Sequence, residues 1–223
     1  MKKKLCVAIG VFVVASIAHA DTVYTSESAW AAAVSGITTV NFEGLVGASS
    51  ASALGGTPPS TTVGGVTFAD GPSAPAGAAL FLIGDNFYGF GVATISAQVG
   101  TGDTDDLEIT LPSSATAVAF DYFLSPGTYT VTLSDGTMET ISPTSNPTSG
   151  FFGVTDPGGI TSLDITDPSS LAALSINVSD FSYATANPVA ATPEPRSSIL
   201  LVALLGAFGL MMQRRRRLAK TIG

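Results

Sequence analysis

Apolar positions fall into three regimes along the chain. Leu5 to Ile17 is an apolar run, Ser197 to Gln213 is a second stretch without a charge, and the apolar residues between them come in short bursts broken by Gly, Pro, Ser and Asp. One soluble segment reads as a helix. Thr25 to Gly36 offers Ser26 as an N-cap, Glu27 for the positive end of the helix dipole, an alanine-rich body and Gly36 as a stop. Past it the pattern predicts strands over residues 38–42, 65–69, 79–83, 92–99, 107–111, 117–123, 128–133, 138–141, 151–155, 160–166 and 173–183. Leu107 to Leu111 alternates with period two, and Val131 to Ile141 reads as a hairpin turning at Asp135-Gly136.

Strands that follow one another without a helical period between them argue for antiparallel pairing rather than an alternating α/β sheet. The expected fold is all-β: an antiparallel β-sandwich, jelly-roll-like, with one short N-terminal helix. Residues 44–65 and 70–77 are rich in Gly, Ala, Ser and Pro and read as mobile surface loops. A domain of roughly 170 residues can bury close to 70% of its extended surface, enough for one core.

Charge placement then removes whole classes of function. All nine Lys and Arg lie at the two ends, while all 17 Asp and Glu fall between Asp21 and Pro195. The only Cys is Cys6 and the only His is His19. The middle of the chain therefore cannot supply a Ser-His-Asp or Cys-His centre, a Lys Schiff base, or a His or Cys zinc site. Nucleic acid is excluded as a partner on the same ground, because phosphate neutralisation needs basic side chains.

The ends read as addresses. Lys2-Lys3-Lys4, the apolar run and Ala18-His19-Ala20 make a signal peptide over residues 1–20, to be cut by signal peptidase before Asp21. The ectodomain is expected over 21–188 and a Pro-rich linker over 189–197. A transmembrane helix is expected over 198–213 and a basic cytoplasmic tail over 214–223, with Arg214, Arg215, Arg216 and Arg217 as its anchor.

Pro193, Glu194 and Pro195, the hydrophobic span and the arginine cluster together resemble the PEP-CTERM sorting domain of Gram-negative bacteria. The resemblance implies an exosortase as partner. The protein would be tethered to the inner membrane before processing, then delivered to the cell surface or an exopolysaccharide matrix. Such a tail is an address and not an activity. Val40 to Leu45, Gly65 to Phe68, Gly150 to Val154 and Val178 to Tyr183 are similar in order and spacing to a class of sorted ectodomains. That likeness implies a lectin-like or carbohydrate-module-like sandwich.

It also implies a structural calcium ion, held in such jelly rolls by a Glu of the first strand and an Asp of the last; Glu43 and Asp180 stand at the similar positions. Both also read simply as solvated acids at strand ends. A second calcium candidate is Asp103 with Asp105, beside Asp106 in a Gly-rich segment, where an exposed acidic turn is the plainer reading. Calcium is the one cofactor considered, since it takes oxygen ligands alone.

Phe87, Tyr88 and Phe90 place three rings in a Gly-rich segment. They could form a platform for stacking on sugar rings, although burial is the commoner fate of such residues. The sequence thus points to an exported structural or glycan-binding protein, with no catalytic residue assigned and extracellular polysaccharide as its ligand. The alternative is a secreted polysaccharide hydrolase working through paired carboxylates, with Glu43, Glu108 and Glu139 eligible.

Overall fold

The computed structural model describes residues 21–75, 77–98, 105–144, 148–167 and 175–186. The expected signal peptide, Pro193 to Pro195, the transmembrane helix, Arg214 to Arg217 and Asp103 lie outside the described residues. Among the described residues no helix is long and apolar enough to cross a membrane.

Strand β1 (Thr22–Tyr24) leads into helix α1 (Glu27–Ala33), followed by β2 (Val34–Val40). The helix is shorter than predicted. Val34 is extended and buried, and pairs with Ala186, so sheet pairing ends the helix before Gly36. Gly36 lies inside β2 at φ 64° instead of capping a helix. Ser26 occupies the N-cap position, but its hydroxyl meets Ser28 and makes no cap bond.

The next strands are β3 (Ala51–Ala53), β4 (Ser60–Val63), β5 (Val66–Asp70), β6 (Ala79–Ile83) and β7 (Thr94–Gln98). β3 and β4 fall in the segment read as a mobile loop, which is a correction. β4 is secured by pairing with β5 along its whole length, Ser60 opposite Ala69 through Val63 opposite Val66. Short polar strands such as Ser60-Thr-Thr-Val63 carry little periodicity of their own.

Two long strands organise everything else: β8 (Asp105–Leu124) and β11 (Thr148–Asp167), separated by the hairpin β9 (Tyr129–Leu133) and β10 (Met138–Ile141). The sequence pattern predicts each long strand as two. Each instead runs through and bends, β8 near Leu111-Pro112 and β11 at Asp156-Pro157-Gly158-Gly159, where the β8–β11 register shifts. Proline and glycine are tolerated in a strand at such a bulge. Gly159 has φ 97°, and a Cβ there would stand 2.7 Å from Ser114 Oγ.

The bends divide the pairing into two layers. One half of each long strand continues through β5 and β4 on one side and β9 and β10 on the other. The other half joins β1 and β12 (Ser175–Ala186), and β12 in turn carries β2 and β7, with β6 and β3 beyond. All of these pairings are antiparallel. The core lies between the layers: Phe68 of β5 meets Phe181 of β12 edge-on at 5.8 Å, and Phe42 meets Phe68 at 5.2 Å. All three rings are at most 1% exposed, so truncating one to alanine should cost about 3–5 kcal/mol.

Candidate functional site

The segment between β6 and β7 carries the ring cluster, and its backbone is tied down before the rings are considered. Gly84 N–H donates to Ser50 C=O, Asn86 N–H to Ala48 C=O and Gly91 N–H to Asp85 C=O. The two segments approach so closely that a Cβ on Gly84 would collide with the carbonyl oxygens of Gly47 and Ala48. At the far end Ala93 N–H donates to Glu43 Oε1 at 2.8 Å. Gly89 and Gly91, at φ 74° and 78°, supply the left-handed turns that a bulkier residue would resist.

On this frame Phe90 stacks on Phe123 of β8, centroids 4.5 Å apart and planes at 11°. Tyr88 meets Phe90 at 5.5 Å and Phe87 at 4.8 Å, the last pair nearly perpendicular at 78°. Phe87 is 43% exposed and Tyr88 50%. The expectation that these rings are core is therefore corrected for Phe87 and Tyr88. Phe90 alone is partly covered, because it supports the other two.

A polar row lies on the same face of the sheet. Strand pairing sets Ser96 beside Asn177 and Asn177 beside Phe123, with Ser179 opposite Asp121. Gln98 Nε2 donates to Ser96 Oγ at 3.2 Å and reaches Tyr88 Oη at 3.5 Å, while Asn177 Nδ2 donates to Phe123 C=O at 3.1 Å. The hydroxyls of Thr94 and Ser179 are buried without hydrogen-bond partners. Sequence reasoning missed this row. Its signal was the alternation of Thr94, Ser96 and Gln98 with Ile95 and Ala97, which a strand buried on both faces conceals.

Asp180 occupies the bulge between Ser179 and Ser182 and is held at φ 47°, which Asp tolerates better than most residues. Its carboxyl is pushed above the ordinary aspartate value by burial, then by the negative charge of Glu43 and that of Glu27. Asp121 is raised likewise, by burial first and then by Asp180 and Glu27. Asp180 thus lies in the field of Glu43 and Glu27, and Asp121 in that of Asp180 and Glu27. One oxygen of Glu43 is engaged by Ala93 N–H.

At the second acidic candidate it is the exposed-turn reading that the structure corrects. Asp105 and Asp106 are not on an exposed turn: they open β8, at 3% and 1% exposure. Asp105 is set opposite Asp167 by the register, and Asp106 Oδ2 accepts Ser73 N–H at 2.5 Å. Asp106 also shares a hydrogen bond with Asp164, whose carboxyl is pushed up to about 8 by burial, that bond, and the charges of Asp106 and Glu108. Asp70 is 5% exposed with both carboxylate oxygens unpartnered, and is raised by burial and then by Asp106. A cavity of about 340 Å³ opens beside it, walled by Pro58, Pro59, Gly71 and Pro75. Glu139 stands apart on β10, opposite Val131.

No family model and no curated protein matches the chain. Among solved structures it is similar to a family 29 carbohydrate-binding module, a point variant of CBM29-2 complexed with mannohexaose. That match has 13% identity and a TM-score of 0.40 and covers 61% of this chain and 92% of that one. A second point variant of CBM29-2 gives 13% identity and a TM-score of 0.39 over 63% of this chain and 99% of that one. The enzymatically active domain of tailspike protein 4 of bacteriophage CBA120 gives 14% identity and a TM-score of 0.29, over 62% of this chain and 20% of that one.

Proposed function

We propose that this chain is an exported, non-enzymatic surface protein whose β domain, jelly-roll-like in outline, binds an extracellular polysaccharide through Phe87 and Tyr88. The observation that supports it is the exposure of these two rings on a loop fixed from beneath by the Phe90–Phe123 stack. An exposed aromatic pair buries its faces against the C–H surface of a sugar ring, while neighbouring amides and hydroxyls orient the ring. Gln98 stands beside Tyr88 for that task. Because the Phe87 and Tyr88 planes differ by 78°, they cannot both lie on one flat crystalline surface. They suit successive residues of a single twisted chain.

Calcium belongs to the same proposal. Bound by Glu43 and Asp180, it would tie the bulge of β12 to the residue that holds Ala93, and so stiffen the base of the ring-bearing loop. Sorting belongs to it as well. The export signal, the Pro193-Glu194-Pro195 motif and Arg214 to Arg217 support signal peptidase and exosortase as processing partners, and a route through the inner membrane to the cell surface or matrix. No observation favours the hydrolase reading through Glu43, Glu108 and Glu139: Glu43 accepts Ala93 N–H, Glu108 lies opposite Asp164 and Glu139 opposite Val131.

A glycan array with the full chain, beside the F87A/Y88A double variant, tests the ligand. Retention of a glycan by the wild type and its loss in the double variant is expected. Equal retention by both, or retention of none, would overturn the reading, and new reducing ends on incubation with exopolysaccharide would turn it toward the hydrolase.

A further inference from the structure

A second group of acids converges elsewhere, where β11 bends from one layer to the other. Asp21 precedes β1, Asp135 opens the β9–β10 turn, and Asp156 begins the bend. One carboxylate oxygen from each lies within 4.8 Å of those of the other two. That is the spread open to oxygens standing about 2.4 Å from a shared centre.

Local bonding explains part of the arrangement. Asp135 accepts Thr137 N–H and Thr137 Oγ1–H at 2.8 and 2.9 Å, and Asp156 Oδ1 accepts Gly158 N–H at 2.6 Å. The other oxygen of Asp156 is unexplained. Asp156 is 4% exposed, it is turned into the cluster, and its Oδ2 is buried with no hydrogen-bond partner. Such an oxygen is costly unless a donor or a cation meets it. No Lys, Arg or His side chain lies between Asp21 and Ala186 to do so, and the one other cation is the α-amino group that cleavage before Asp21 would free. The crowding is felt at Asp21, whose carboxyl is raised by partial burial and then by the charge of Asp156.

We propose that Asp21, Asp135 and Asp156 form a calcium site, separate from Glu43 and Asp180, that staples the start of the first strand to the hairpin and to the bend of β11. Three carboxylates with no nitrogen or sulfur donor select a hard cation. The irregular reach of a turn, a strand start and a bend suits the flexible shell of calcium better than the strict octahedron of magnesium. Water completes the coordination on the exposed side, where Asp135 lies.

Thr137 and Gly158 report on this corner alone, because their amides bind Asp135 and Asp156. In the chelator-stripped full chain, added calcium should shift both amide resonances in a saturable way. D21N and D135N alter the accessible members of the group and should each abolish those shifts while circular dichroism stays that of the wild type. The Ala93 amide, bonded to Glu43, reads the other candidate independently. Thr137 and Gly158 resonances that ignore calcium, or that respond equally in both variants, would overturn the proposal.

Discussion

Phe90 lies flat on Phe123, and through that contact a loop with two exposed rings is seated on an interior strand of its layer. The stack separates what Phe87 and Tyr88 do from what keeps them in place. F87A and Y88A should each weaken glycan binding by roughly tenfold, the worth of one stacking contact, and leave the melting temperature nearly unchanged. F123A should lower both, since it removes the support. Calorimetric titration beside thermal melts checks this; a melting temperature that falls in Y88A as far as in F123A would show that the rings serve stability.

Several carboxyls are harder to ionise in the folded chain than in the unfolded one, and this fixes the sign of the pH dependence. The Asp164 value rises from 3.8 to about 8, so across that interval the folded chain keeps a proton that the unfolded chain has lost. Stability from this group is complete below the lower value and is lost as pH rises toward the upper one. Asp70, Asp121 and Asp180 shift in the same direction. The metal-free protein should therefore melt at a higher temperature near pH 5 than near pH 8, with D164N flattening the slope. A melting temperature that climbs over this range would contradict the assignment.

Two glycines of positive φ make a controlled comparison. Gly136 turns the β9–β10 hairpin at φ 90° with open space around an added Cβ, whereas at Gly159 the Cβ would meet Ser114 Oγ at 2.7 Å. G136A should cost about 1 kcal/mol for its backbone strain alone, and G159A more, about 2–3 kcal/mol. Urea denaturation of both variants measures the difference. Equal losses would mean that the crowding at the bend relaxes freely.

Replacing Pro193, Glu194 and Pro195 together with alanine should block tail processing and hold the protein at the membrane. Fractionation of the producing cells reads this directly, and unchanged surface delivery would remove the exosortase from the account.

Hydrophobic alternation made several elements legible. Val66 to Asp70, Ala79 to Ile83 and the hairpin at Asp135-Gly136 could be read because one face of each is apolar and the turn residues are chemically distinctive. The end of α1 was hidden because it is decided by the pairing of Val34 with Ala186, a contact across the sequence. Pro112 and Pro157-Gly158-Gly159 looked like strand breaks when they are bends within strands. At the site, the types and order of Phe87, Tyr88 and Phe90 were visible but their exposure was not, since it depends on Phe123. Asp105 and Asp106 misled for the converse reason: acids beside glycines look solvated until Asp167 and Ser73 are found against them.

Because β8 and β11 each run through both layers, the sheets cannot be peeled apart in sequence; a force sufficient to separate them must unravel the same two segments at once. Tension applied across the domain would therefore meet a single rupture threshold, and the domain would keep its fold up to that tension and then fail as a whole.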